Sequence, residues 1–145
     1  MVNINTAKFI KKELRCSFFV TTKFKHNLLK TKIMESKEFA KAETFSFPTE
    51  VEYTQGGIVS RNVIKRPTGN VSLFAFDKGE SLSEHTAPFD AMVQVVEGTA
   101  HIIINGQTHV VNAGQCIIMP ANITHAVAAP ERFKMVLTMI KEPKA

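Results

Sequence analysis

Between residues 58 and 140, short runs of apolar and β-branched residues alternate with glycine, proline and asparagine. Short runs bounded by such turn signals are typical of antiparallel strands. The pattern predicts eight strands, at residues 58–65, 71–76, 92–97, 100–104, 107–111, 116–119, 125–129 and 133–140. We therefore expect an all-β protein whose strands form a barrel-like pair of sheets.

One turn is specified by its own residues. Asn105-Gly106 lies between two predicted strands. This dipeptide favours a two-residue type I′ hairpin, because both central residues of that turn need positive φ. The sequence thus predicts that strands 100–104 and 107–111 pair directly.

Several predicted strands carry apolar residues on both faces, most clearly residues 133–140, 102–104 and 117–119. An antiparallel strand with one solvated face should alternate between apolar and polar residues. Another layer must therefore cover the second face of these strands. We expect the space between the sheets on one side and a subunit interface on the other, which predicts a homodimer.

The chain before the strands divides into two parts. Residues 34–54 form a lead-in, and the helix formers around Phe39 and Ala40 are compatible with one short helix at 35–43. Residues 1–33 hold eight Lys and Arg against one acid, a charge of +7, whereas the remainder carries −2. We favour a start codon assigned too far upstream, which would make 1–33 a non-native or disordered basic extension. A basic tail for membranes or nucleic acid and a transit-like presequence are the alternatives.

Composition and charge limit the class of protein. The net charge of +5 arises entirely in the first 33 residues, so we do not expect the folded domain to bind nucleic acid. No apolar run approaches the 18 or more residues that a membrane-spanning helix needs. The only cysteines are Cys16 and Cys116, which excludes a disulfide scaffold and fits a reducing cytoplasm. Because Cys116 lies in an apolar strand, we expect it to be buried and inert.

Two segments carry the spacing of a known pair of motifs. The first runs from Gly79 through His85 to Gly98, and the second from Gly114 through Pro120 to His125. They resemble the two signature motifs of the cupin superfamily, which pair a His-x-His and a Glu in the first motif with a single His in the second. The resemblance covers about residues 55–140. It implies a cupin barrel at 55–141, that is, a double-stranded β-helix of the jelly-roll type.

The sequence departs from these motifs at two metal-ligand positions, where Ala87 replaces the second histidine and Ala91 replaces the glutamate. The resemblance leaves His85 and His125 as tentative ligands for Fe, Mn, Ni, Cu or Zn. Two imidazoles fall short of the three protein ligands that a catalytic zinc or a non-heme iron uses. Asp90, beside Ala91, is the weak candidate for a third donor, and a loop-capping carboxylate is its alternative.

Other polar residues on the predicted strands are expected at the surface or at an interface. These are Glu84, Gln94, His101 and His109.

The two alanines make the expected pocket larger and less polar, which suits a small-molecule site with a few polar groups. The candidate lining residues are His85, His125, Ala87, Ala91, Phe74, Phe89, Val93, Val95, Met119, Leu137 and Met139.

Three functions are compatible with this pocket. The first is binding of a small molecule without an obligatory metal, as a sensor, carrier or accessory protein. The second is a metal-dependent cupin enzyme of the dioxygenase, isomerase or decarboxylase type, using His85, His125 and a further donor. The third is a metal-free enzyme with a histidine as general base, since histidine exchanges protons near neutral pH.

Overall fold

The structure, a computed structural model, describes residues 39–141. The expected basic extension at 1–33 lies outside the described residues. Within them, a short 3₁₀ helix, Phe47–Thr49, precedes nine strands. The strands are β1 Ile58–Arg66, β2 Gly69–Phe76, β3 Ser81–His85, β4 Ala91–Glu97, β5 Thr99–Ile104, β6 Gln107–Asn112, β7 Cys116–Met119, β8 His125–Ala128 and β9 Phe133–Ile140.

The strands form two antiparallel sheets. One has five strands in the order β1-β2-β9-β4-β7, and the other has four in the order β3-β8-β5-β6. Successive strands therefore switch repeatedly between the sheets, as in a jelly roll. The predicted all-β double-sheet fold is confirmed. In the described residues, no helix is long and apolar enough to cross a membrane.

The predicted hairpin at Asn105-Gly106 is confirmed. Both residues have positive φ, at 50° and 76°, and β5 pairs with β6 from Ile104↔Gln107 to Thr99↔Asn112.

Two expectations about local structure are wrong. Sequence periodicity missed β3, because Ser-Leu-Ser-Glu-His contains a single apolar residue and lies at the edge of its sheet. The helix expected at 35–43 is absent from its described part, where a turn at Lys41 and Ala42 takes its place. Ala42 has a φ of 60°, which a right-handed helix cannot contain.

The larger hydrophobic core lies between the sheets. Phe76 and Phe133, both fully buried, stack with ring centroids 4.6 Å apart. Val95 and Met135 from the five-stranded sheet and Ile102 from the four-stranded sheet belong to the same cluster. Burying each such side chain contributes about 1.5–3 kcal/mol to stability, so this end of the barrel holds the most tightly packed part of the inter-sheet core.

A second core covers the outer face of the five-stranded sheet, and the chain's own lead-in supplies the cover. Val51 is buried there, with Phe39, Phe47 and Tyr53 packed around it against β1, β2 and β9. The apolar second face of β9 was the main reason to expect a subunit interface. Around Val136 that face is covered within the same chain, by Val51 and its neighbours, whereas Ile140 at the end of β9 is exposed.

Polar contacts fasten the lead-in to the sheet. The buried Lys134 ammonium donates to the carbonyl of Pro48 at 2.6 Å and lies 3.4 Å from Glu97. The Tyr53 hydroxyl donates to the same Glu97 at 2.7 Å. Burial, followed by the hydrogen bond to Glu97, raises the pKa of the Tyr53 hydroxyl, so that group stays protonated and remains a donor.

A second fastening joins the start of β1 to the end of β2. Asp77 accepts hydrogen bonds from the Arg132 guanidinium and from the backbone N–H of Gly56. The Arg132 hydrogen bond, with that of Gly56 behind it, lowers the pKa of the Asp77 carboxyl. A carboxylate with two charge-stabilising donors is held in one orientation.

The expectation of a buried Cys116 is wrong, because the thiol is exposed. Cys116 pairs with Gln94 on the outer face of β7, at the edge of the sheet. Ile118 and Met92 form the next outward pair along this edge and are also exposed. Val96 packs against the outer core, whereas Met92 and Ile118 are exposed, so the apolar outer face extends beyond its cover.

Candidate functional site

His85 and His125 meet on the inner face of the four-stranded sheet. They end β3 and begin β8, and the two residues are direct cross-strand partners. Their ring centroids are 4.5 Å apart and their planes are inclined by 67°, an edge-to-face contact. The structure thus brings together the two histidines that the sequence motifs singled out. We call them the histidine pair.

Each ring contacts a backbone carbonyl two residues before it in the chain. His85 Nδ1 lies 2.8 Å from the carbonyl oxygen of Ser83, and His125 Nδ1 lies 3.0 Å from that of Ile123. A carbonyl oxygen only accepts, so the hydrogen-bond network assigns the ring proton to Nδ1 in both residues. In the neutral form, both Nε2 atoms then carry the free lone pair. The same arrangement holds metal-binding histidines in other proteins.

The pair lies at an end of the barrel that solvent can reach. At the opposite end, Phe76 and Phe133 are fully buried between the sheets. Toward the histidines, Leu137 and Met139 of β9 and Ile104 of β5 are only partly buried, although they point at the other sheet. His125 is 4% exposed and His85 is exposed. Solvent therefore reaches part of the inner surface here, and we call this region the open end.

Most predicted pocket residues lie on the inner face of the five-stranded sheet. Cross-strand pairing aligns Leu137 with Val93, and Met139 with Ala91. Ala91 pairs in turn with Met119. Phe74 and Val95 flank Met135 one step deeper. All seven predicted residues belong to the inter-sheet cluster or pack against it.

The remaining two pocket candidates, Ala87 and Phe89, are half-buried and lie in the segment between β3 and β4. The ammonium of Lys141 lies over the ring of Phe89, 5.4 Å from its centroid, in a cation–π contact. Ala87 accepts a hydrogen bond at its carbonyl from the backbone N–H of Asn122, at 2.7 Å. These residues border the open end rather than forming its deeper wall.

Asp90 joins two loops at this border. Its Oδ1 accepts the backbone N–H of Ala121 at 2.8 Å. Together with the Asn122–Ala87 hydrogen bond, this contact fixes the loop that leads into His125 and carries the Ile123 carbonyl. Asp90 thus acts as a loop-capping carboxylate in this structure.

The donor set does not fit a resident metal. Among residues 39–141, no three His, Cys, Asp or Glu side chains are grouped so that they could hold a metal ion. The histidine pair offers two nitrogen atoms with the correct tautomer. Because catalytic zinc and non-heme iron sites use three protein ligands, these residues alone do not complete such a site.

The other polar candidates are distributed over both faces. Glu84 is exposed, Gln94 is half-buried on the outer face opposite Cys116, and His101 is opposite Val110 on the outer face. His109 differs from the expectation. It pairs with the fully buried Ile102, so it lies on the inner face of its sheet, at half-buried depth.

Sequence reasoning missed a group of polar residues on the inner face of β1 and β2. Ser72 is 5% exposed and pairs with Leu137 on one side and with Asn62 on the other. Asn70 pairs with Met139. The sequence did carry a signal for this group, namely polar residues in two adjoining strand segments, Asn62 in one and Asn70 and Ser72, two positions apart, in the next. The sequence pattern alone could not say which face of these strands points inward.

A separate cleft of about 320 Å³ lies on the opposite side of the five-stranded sheet. The lead-in from Phe39 to Phe45 forms one wall, and Val63 and Ile64 of β1 contribute to the other. Val63 belongs to the outer core, so this cleft does not communicate with the histidine pair through the sheet.

Comparison with known proteins supports the motif assignment. The family model described as "Cupin domain" matches residues 72–141. A conserved protein of unknown function from Streptococcus pyogenes is 37% identical, with a TM-score of 0.70, over 75% of this chain and 95% of that one. A cupin 2 conserved barrel domain protein from Leptotrichia buccalis is 43% identical, with a TM-score of 0.61, over 63% of this chain and 44% of that one.

A cupin superfamily protein from Desulfitobacterium hafniense is 24% identical with a TM-score of 0.69, over 74% of this chain and 99% of that one, and supports the fold alone. The search of curated proteins found no significant match. Two motif histidines in cross-strand contact, the double-sheet jelly roll and these similarities lead to one conclusion: the chain belongs to the cupin superfamily.

Proposed function

We propose that this protein binds a small molecule at the open end between its sheets, and that the histidine pair is the polar anchor. The observation that carries the proposal is the pair of Nδ1–carbonyl hydrogen bonds, to Ser83 and Ile123. These bonds leave both Nε2 atoms with free lone pairs. Because the rings are in edge-to-face contact, one ligand group can reach both.

The free lone pairs define what the ligand must offer. A neutral imidazole nitrogen without hydrogen accepts a hydrogen bond, so the ligand presents hydroxyl or amino hydrogens to the pair. The half-buried apolar side chains of Leu137, Met139 and Ile104 surround this point. Covering them removes apolar surface from water, worth about 25 cal/mol per Å². The ligand therefore has a polar end and an apolar flank.

The alternative is a metal-dependent cupin enzyme, of the dioxygenase, isomerase or decarboxylase type. The free Nε2 atoms favour it, because they are the atoms that would bind a transition metal. A third donor would have to come from the ligand or from water, since the described residues supply none in position. We place this function second for that reason.

The test compares molecules released from purified protein. Wild-type protein made without a His-tag is denatured, and the released small molecules and metals are quantified by mass spectrometry. We expect an organic molecule at near-stoichiometric level, lost in the His85→Ala/His125→Ala double variant. The control is His101→Ala, on the outer face. Stoichiometric metal that depends on the histidine pair would favour the enzyme instead, and equal release from all three proteins would contradict the proposal.

Self-association belongs to the same proposal. We infer a homodimer through the part of the outer face that the lead-in leaves uncovered, where Met92, Ile118 and Ile140 are exposed. Ile118→Glu should shift the mass measured by light scattering from dimer to monomer, whereas Val110→Glu, on the other sheet, should not. A monomeric wild type would contradict this.

The exposed free thiol of Cys116 supports a reducing, cytoplasmic compartment.

A further inference from the structure

Three polar side chains on the inner face of the five-stranded sheet form a connected chain of hydrogen bonds. Asn70 Nδ2 donates to Ser72 Oγ at 3.0 Å, and the Ser72 hydroxyl donates to Asn62 Oδ1 at 3.1 Å. We call Asn62, Ser72 and Asn70 the polar ladder. The neighbours of this group on β9, Leu137 and Met139, are apolar.

The ladder has open donors and an open acceptor. Within the described part of the chain, Asn62 Nδ2 and Asn70 Oδ1 have no hydrogen-bond partner. No buried side-chain nitrogen or oxygen among those residues is left unpaired, so both atoms are accessible to solvent. The amide assignment lets Ser72 accept from one neighbour and donate to the other. Exchanging both amides reverses the two hydrogen bonds but still leaves one amide oxygen and one amide nitrogen open at the ends of the ladder.

Strand topology and length place the ladder across the inter-sheet space from the histidine pair. The short connection from Asp77 to Glu80 carries the chain from β2 in one sheet to β3 in the other. Ser72 comes four residues before the end of β2, and His85 comes four residues after the start of β3. At about 3.3 Å per residue, both lie about 13 Å from this connection. Packed sheets are about 10 Å apart, a gap that a small organic molecule spans.

We propose that the polar ladder is a second subsite for the same ligand, and that it selects a neutral group that both donates and accepts hydrogen bonds, namely a hydroxyl or a carboxamide. This inference rests on the proposed function, because it names the ligand class for that cavity. A ligand that reaches both subsites carries hydrogen-bonding groups at two ends, as a polyol or an amino alcohol does. An anion is disfavoured because it cannot donate to the Asn70 oxygen.

Lys65 is the one charged side chain that pairs with the ladder, opposite Asn70, and it is exposed. Its ammonium could attract an anion from solvent. The experiment must therefore compare a neutral probe with an anionic probe of the same shape.

The experiment titrates the full chain with acetamide and, separately, with the isosteric acetate. Nuclear magnetic resonance follows the side-chain amides of Asn62 and Asn70 and the rings of His85 and His125. We expect acetamide to shift all four in a saturable way, and acetate to leave the asparagine amides unchanged. Ser72→Ala should weaken the acetamide response at Asn62 about five- to tenfold, the effect of about one hydrogen bond.

Ser60→Ala is the control, since Ser60 lies on β1 with Asn62, on the same face and opposite Phe74, but outside the ladder. It should leave the response unchanged. If Ser72→Ala does not fold, Asn70→Ala replaces it, because Asn70 is only half-buried. In that variant too, the acetamide response at Asn62 should weaken.

The four signals separate the two proposals. A response at the histidines without one at the asparagines overturns the ladder subsite, and equal shifts of the asparagines by acetate and acetamide overturn the neutral ligand class. A response at the asparagines alone supports the ladder and overturns the histidine-centred function. No response at either subsite overturns both.

Discussion

Gly98, which follows β4, provides the sharpest test of the packing described above. Its φ is +76°, in the left-handed region. A Cβ at this position would overlap the carbonyl oxygen of Arg132 and lie 3.0 Å from Cα and Cβ of Phe133. Phe133 is fully buried in the inter-sheet core, so the backbone next to it cannot move away cheaply. We predict that Gly98→Ala is strongly destabilising.

The expected loss has two parts. An L-residue with left-handed φ costs about 1–2 kcal/mol, and forcing extra atoms into a packed core costs about 1–3 kcal/mol more. The free energy of unfolding should therefore fall by about 2–5 kcal/mol. Gly114→Ala isolates the first part, because Gly114 has a φ of +87° and open space around its missing Cβ. That variant should lose only about 1–2 kcal/mol.

Urea denaturation followed by circular dichroism measures both losses against wild type. A shift of the midpoint without a change in slope reports stability alone. If the two variants lost the same free energy, the close approach of residues 132–133 to Gly98 would be wrong. If neither lost any, the left-handed backbone at both positions would be wrong as well.

Three further predictions follow from contacts elsewhere in the molecule. Since the native pKa of Asp77 lies below its ordinary value of 3.8, the native state binds fewer protons than the unfolded state there. The Asp77 carboxylate therefore stabilises the fold above that pH, and this stabilisation is lost below it. Asp77→Asn should lower the free energy of unfolding at pH 7 and reduce the difference in that free energy between pH 7 and pH 3, both measured by urea titration. The same pH dependence in variant and wild type would contradict this. Asp90→Ala should speed hydrogen exchange at the Ala121 amide, which it caps, by about tenfold or more, and unchanged exchange would refute the cap. Val51→Ala should lower the free energy of unfolding by about 1–2 kcal/mol in thermal unfolding, because Val51 of the lead-in is buried against the sheet. Val110 is 57% exposed, so Val110→Ala should cost almost nothing. Equal costs would show that the lead-in does not cover the sheet.

Much of the fold was predictable because the signals were local. Alternating apolar runs located every strand except β3, and Asn105-Gly106 located its hairpin from φ requirements alone. The motif spacing singled out His85 and His125 before any geometry was known. β3 was missed because hydrophobic periodicity has nothing to detect in a polar edge strand.

The expectation for Cys116 was wrong, and the cover of β9 around Val136 was not predicted, for a shared reason. An apolar strand indicates burial, but not which of its faces is buried or what buries it. Cys116 points outward at a sheet edge. Around Val136, the outer face of β9 is covered by Val51 and its neighbours, far away along the sequence.

By itself, the sequence determined the strand content, one hairpin and the two histidines, because propensity, turn chemistry and motif spacing act over a few residues. The tertiary structure alone decided what those histidines contact, that no third donor joins them among residues 39–141, and that Asn62, Ser72 and Asn70 face the same interior. Side chains from different strands become neighbours only through register and sheet pairing. A shift of one residue in that register would turn each of them to the other face.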